Sequence, residues 1–123
     1  MRLEHVNLTV ADLERSIRFY TELLGWRVRW QGTTSSGTPA AHVGDDDSYL
    51  AFFEGRGASP AWNYGAVGYN HMGFVVEDLD AAKARVIELG GEVHGEDEYD
   101  PGRRLYFTDP DGFEVELVEY ATS

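Results

Sequence analysis

The chain contains no cysteine. That absence removes disulfides, thiolate metal ligands and cysteine nucleophiles together. Lysine is nearly missing as well, since Lys83 stands alone among ten basic residues, against 22 acids and a formal net charge of −12. Such a surface repels phosphate backbones and anionic lipids, which argues against nucleic-acid and membrane partners. It leaves room for a cationic small ligand, and otherwise serves as a solvated acidic coat. No apolar run approaches the roughly 20 residues of a membrane helix. The first five residues, Met1 to His5, carry an acid and a histidine where a signal peptide needs an apolar stretch. The expectation is a cytoplasmic protein. With 123 residues, 42% of them hydrophobic, the chain suits one domain with a core of its own.

What is present is a repeat. Leu3-Glu4-His5-Val6-Asn7-Leu8-Thr9-Val10-Ala11-Asp12-Leu13 lies over Tyr69-Asn70-His71-Met72-Gly73-Phe74-Val75-Val76-Glu77-Asp78-Leu79, with histidine third in each and Val-x-Asp-Leu at each end. Leu24-Gly25-Trp26-Arg27-Val28 then matches Leu89-Gly90-Gly91-Glu92-Val93, and Leu50-Ala51-Phe52-Phe53-Glu54 matches Val115-Glu116-Leu117-Val118-Glu119. Each half reads as a strand, a helix and three further strands. Residues 3–10 alternate with period two, and Asp12 is a good cap for a helix ending near Leu24, before Gly25. Strands follow near 26–31, 38–43 and 48–54. The second half repeats the plan, with a strand at 69–77, a helix from Asp78 to Leu89, and strands near 92–95, 103–108 and 113–119. The expected organisation is a single domain over 1–123, with modules at about 1–54 and 69–120 and a linker at 55–68. Its fold class is α+β, two tandem βαβββ modules forming a cupped mixed sheet with helices on the outer face.

Period two also sorts the faces. Val6, Leu8 and Val10 form the side that packs on the helix, so His5, Asn7 and Thr9 face away. Met72, Phe74 and Val76 pack inward and leave His71 opposite, and Val115 and Leu117 leave Glu114 and Glu116 opposite. Two histidines at duplicated places and a glutamate on the matching face point to one metal centre, with His5, His71 and Glu116 as ligands. Two neutral imidazoles and a carboxylate suit Zn, Fe, Ni, Mn or Co and leave coordination positions open. The fourth equivalent place holds Ala51. His42, aligned with Phe107, reads as a packing or rim residue, and His94, in an acidic stretch, as a structural or surface one.

These residues resemble the vicinal oxygen chelate superfamily, which includes glyoxalase I, extradiol dioxygenases, fosfomycin resistance thiol transferases, methylmalonyl-CoA epimerase and bleomycin resistance proteins. The segments that carry the resemblance are His5 to Leu13, Phe19-Tyr20-x-x-Leu23-Leu24-Gly25, His71 to Val76, and Tyr106-Phe107-Thr108-Asp109-Pro110-Asp111-Gly112-Phe113-Glu114-Val115-Glu116-Leu117. The resemblance implies paired βαβββ modules and the same three ligands. It also implies a fourth acid or amide ligand in glyoxalase I and the epimerase, at the place of Ala51. Glu54 lies nearby with the opposite parity. The three-ligand pattern is similar to the fosfomycin enzymes and the dioxygenases, and Tyr106 matches the phosphonate-contacting tyrosine of the former.

The resulting expectation is a glyoxalase-like, metal-dependent enzyme on a small substrate with adjacent oxygens. Its reaction would be of lyase or isomerase, thiol transferase or dioxygenase type, with the metal as Lewis acid. Tyr106 would donate a hydrogen bond in catalysis, Arg104 would neutralise a substrate anion, and Asn7 and Phe53 would line the pocket. Trp62 and Tyr64 would pack the linker or an interface, or else cover the cup. A homodimer is expected. The alternative is a metal-independent binding or resistance protein that sequesters a cationic compound, in keeping with the acidic charge.

Overall fold

The computed structural model describes residues 1–58, 60–61, 63–99 and 102–121. They divide into two compact units, Met1–Ala58 and Ser59–Ser123. The first unit contains β1 (His5–Val10), α1 (Leu13–Leu24), β2 (Arg27–Thr33), β3 (Pro39–Gly44) and β4 (Tyr49–Glu54). The second contains β5 (Met72–Val75), α2 (Leu79–Glu88), β6 (Glu92–Tyr99), β7 (Gly102–Thr108) and β8 (Glu114–Tyr120). Each builds a four-stranded mixed sheet, in the orders β1-β4-β3-β2 and β5-β8-β7-β6. In each the first and last strands pair in parallel and the other pairs are antiparallel. The fold is therefore α+β, one βαβββ module made twice.

The helices start where carboxylates meet their exposed N–H groups. Asp12 accepts from the Arg15 N–H at 3.1 Å, and Asp78 accepts from the Ala81 N–H at 3.0 Å. A second carboxylate arrives from the far end of the last strand. Glu54 accepts from the Leu13 N–H at 2.9 Å, and Glu119 from the Leu79 N–H at 3.0 Å. Both acids oppose the positive end of the helix dipole. Gly25 ends α1 in the left-handed conformation, with φ 67°. At Gly44 the reason for glycine is space, because a Cβ would lie 2.1 Å from the Ser48 carbonyl oxygen.

Each unit has its own core. Leu8, Val10, Ile17, Tyr20, Leu50 and Phe52 are buried in the first, and Met72, Leu79, Val86, Leu105, Phe107 and Leu117 in the second. The buried members of β1 and β5 are those the alternation assigns to the helix side. The strand limits differ most from expectation in the second unit. β5 is confined to Met72–Val75 rather than 69–77, and β6 runs on to Tyr99 rather than stopping near 95. The register corrects the alignment of His42. His42 pairs with Ala51 as Tyr106 pairs with Glu116, so His42 is the counterpart of Tyr106, not of Phe107. Its ring packs against Tyr49, with centroids 4.6 Å apart, on the face away from α1.

Candidate metal centre and adjoining pocket

β8 is central in the second sheet, with β5 on one side and β7 on the other. Gly73 lies opposite Glu116 in the parallel pairing. His71, two residues earlier, shares that face, and its Nε2 lies 2.9 Å from Glu116 Oε1. From β7, Arg104 Nη1 donates to Glu116 Oε2 at 2.6 Å. The carboxylate is thus held by one oxygen and presents the other to the imidazole. The pair is sheltered, with the Glu116 side chain 12% and the His71 side chain 25% exposed. Tyr106, opposite Glu116 on β7, meets the His71 ring edge-on at 6.0 Å.

The other nitrogen of His71 decides what this arrangement can hold. Nδ1 lies 2.7 Å from Asn70 Oδ1, and Asn70 Nδ2 donates to the Tyr64 carbonyl at 3.2 Å, which sets the orientation of the amide. Both ring nitrogens therefore face oxygen acceptors. A neutral imidazole has a single N–H, so the Nε2–Oε1 contact calls for a second proton or a metal ion. Ligands bonded at about 2.0–2.2 Å to one metal stand about 3 Å apart when adjacent, and the observed separation fits. An acceptor behind the distal nitrogen is also the usual support of a ligating histidine. Among the described residues, no third His, Asp or Glu of this unit joins the pair closely enough to complete a metal cluster.

The first unit carries the same support. His5 Nδ1 lies 2.9 Å from Glu4 Oε1, so in both units the residue before the histidine engages Nδ1. That bond, first, holds the exposed Glu4 carboxyl below the usual range. The His5 ring stacks on Tyr49 at 4.8 Å, and the Tyr49 hydroxyl donates to Glu4 at 3.3 Å. Asn7 Nδ2 donates to the carbonyl of buried Ala51 at 2.8 Å. Phe53 is partly exposed. Glu54 is taken up at the start of α1, and the β1–β4 register runs unbroken to Val10↔Glu54, so no slip turns it toward the Ala51 face.

Beside the His71–Glu116 pair, within the second unit, lies a cavity of about 280 Å³ lined by Tyr64, His71, His94, Gly95, Asp97, Tyr106 and Glu114. His94 is thus not a bare surface residue, because its Nε2 bonds Glu114 Oε2 at 2.8 Å. Glu114 is legible in the sequence, two residues before Glu116 with the same parity. His94 is not, because the β6–β7 register shifts between Val93 and Gly95 and breaks the alternation there. Tyr64 lies in the wall, with its ring 6.4 Å from that of His71. Trp62 falls outside the described residues.

Residues 2–117 match the model of the Glyoxalase/Bleomycin resistance protein/Dioxygenase superfamily. The chain belongs to that superfamily. It is 30% identical to a lactoylglutathione lyase of Salmonella typhimurium, over 97% of this chain and 93% of that one. It is 31% identical to the glutathione transferase FosA of Serratia marcescens, over 94% and 78%. Among solved structures, a glyoxylase/bleomycin resistance protein/dioxygenase domain from Frankia sp. EAN1pec superposes with a TM-score of 0.78 at 28% identity, covering 98% of each chain. Among the described residues no helix of this superfamily member is long and apolar enough to cross a membrane.

Proposed function

We propose that this chain is a metal-dependent enzyme, of lyase or transferase type, acting on a small substrate with two adjacent oxygens. His5, His71 and Glu116 are the proposed ligands of one divalent ion, drawn from Zn, Fe, Ni, Mn and Co. The observation that carries the reading is the His71–Glu116 contact, in which an imidazole with its Nδ1 already engaged faces a carboxylate oxygen at 2.9 Å. The repeat of that Nδ1 support at His5 adds to it. When bound, the ion would supply Lewis-acid stabilisation of charge on the substrate oxygens. Arg104 keeps the Glu116 carboxylate oriented and balances part of its charge. Arg104 is also the proposed residue to neutralise a substrate anion. Tyr106, in the cavity wall, is the proposed hydrogen-bond donor to substrate. Asn7 and Phe53 are the proposed substrate-facing residues of the first unit. The similarity to a lactoylglutathione lyase and a glutathione transferase supports the reaction classes. A homodimer belongs to the same proposal and is checked by light scattering.

The test is turnover across a panel of α-hydroxycarbonyl, electrophilic epoxide and catechol substrates, with and without chelator. Turnover lost to chelator and restored by one equivalent of metal supports the reading. Stoichiometric protection against a cationic compound, untouched by chelator, would replace it with a sequestering protein.

A further inference from the structure

In the first unit a register shift puts two consecutive residues of β2 on one face. Val28 lies opposite buried Val43 and Trp30 opposite His42, with the shift between them. Strict alternation would send Arg29 and Trp30 to opposite faces. The extra residue lets both reach the face away from α1, beside Tyr49 and His42. Arg29 lies over the Tyr49 ring at 4.5 Å, and the Trp30 indole packs against the His42 ring at 5.1 Å. His42 in turn meets Tyr49 at 4.6 Å. The indole runs back along its own strand, because a Cβ at Gly32 would come 2.9 Å from Trp30 Cζ2. Gly32 thus lets the indole lie across the backbone, with Trp30 still 43% exposed.

The charge of this face runs against that of the chain. Among the described residues no carboxylate lies within ion-pair reach of Arg29, in a chain of 22 acids and ten basic residues. Glu4, the acid beside Tyr49, is already engaged by His5 at 2.9 Å and by the Tyr49 hydroxyl at 3.3 Å. His42 records the local sign. Burial first, then the charges of Arg29 and His5, hold its imidazole below the ordinary range, and Glu4 is the smallest and opposing influence. Neither ring nitrogen of His42 has a hydrogen-bond partner among the described residues. A guanidinium fork and an imidazole N–H are therefore open donors beside a half-exposed indole. Arg29 disfavours a second cation at this place, and exposed acids beyond about 8 Å are largely screened at physiological salt.

We propose that this face of the first sheet is a binding site for a planar aromatic carboxylate. The aromatic body stacks on the open side of the Trp30 indole. The carboxylate takes the Arg29 guanidinium, with the His42 N–H as a second donor. Two carboxylate oxygens match the planar fork of arginine by parallel N–H···O bonds, which a lone hydroxyl or an amine does not. Conjugation holds carboxylate and ring in one plane, so one flat ligand engages two residues that are neighbours in sequence and share a face. Both are set in advance, Arg29 by Tyr49 and Trp30 by Gly32, so little side-chain freedom is lost on binding. His71 and Glu116 take no part, and binding here does not depend on the metal reading.

The probe is naphthoate, titrated into ¹⁵N-labelled protein with chelator present throughout, so that failure of the metal reading leaves this test standing. The signal followed is the Trp30 indole N–H, identified by its loss in Trp30→Phe. Saturable movement of that signal is expected. Naphthylmethylammonium, with the same ring and the opposite charge, should bind more weakly. Arg29→Gln should weaken naphthoate about 10–100-fold and leave the ammonium compound no weaker. Gly32→Ala, at a position without positive φ, displaces the indole and should weaken both compounds about 2–10-fold. Amide spectra that match wild type away from this face show that the variants are folded. Unchanged naphthoate affinity in Arg29→Gln or Gly32→Ala, equal or tighter binding of the ammonium compound, or a Trp30 signal that does not move overturns the proposal.

Discussion

Single side chains behind the histidines set what the site can hold. Asn70 engages Nδ1 of His71 and is itself held by the Tyr64 carbonyl. Removing that support while leaving the ligands in place, as in Asn70→Leu, should weaken metal binding about 10–100-fold, read by competition with a fluorescent chelator. His42 illustrates a different residue-scale effect. Partial burial first, and the neighbouring Arg29 charge second, push its imidazole below the ordinary range. Between its lowered folded value and the ordinary one near 6.5, the unfolded chain binds the extra proton, so stability there rises with pH. The contribution is complete above the ordinary value and is lost as pH falls through the folded one. His42→Gln should therefore lose less stability than wild type on acidification across that window, as measured by urea denaturation at a series of pH values.

At the scale of elements, the helices were the most legible part of the sequence. Asp12 and Asp78 cap as their positions suggest, and Gly25 ends α1 in the conformation glycine favours. Asp12→Ala and Asp78→Ala should each cost about 1 kcal/mol by chemical denaturation, nearly additively, because the caps belong to separate units. The strands were less legible where pairing rather than pattern decides. The acidic run Glu96-Asp97-Glu98 looks like a loop in isolation. In the sheet, Asp97 lies opposite Arg104 and Glu98 opposite Arg103, with Arg103 Nε 3.2 Å from Glu98, so β6 is extended by partners on the neighbouring strand β7. β5 is shorter than its alternation suggests because its parallel pairing begins only at Met72. The alignment of His42 with Phe107 fails for a related reason. The spacing from Trp30 to His42 is one residue longer than that from Gly95 to Tyr106, and a one-residue shift exchanges the two faces of a strand.

In the molecule as a whole, duplication made the proposed ligand set readable and divergence hid the rest. His5 and His71 stand at matching places of the repeat and Glu116 shares the sheet face of His71 by parity, which a sequence shows directly. The His94–Glu114 pair depends on a register shift that no local pattern announces. The two units also keep separate cores. Phe107, fully buried in the second, should cost about 3–5 kcal/mol when truncated to alanine, by thermal or urea denaturation. The most direct measurement for the central claim is the metal content of untagged protein, by elemental analysis, beside His5→Ala, His71→Ala and Glu116→Ala. The account predicts near one transition metal ion per chain in wild type and its loss in all three variants. Wild type that holds no metal even after reconstitution, or variants that keep it, would contradict the account.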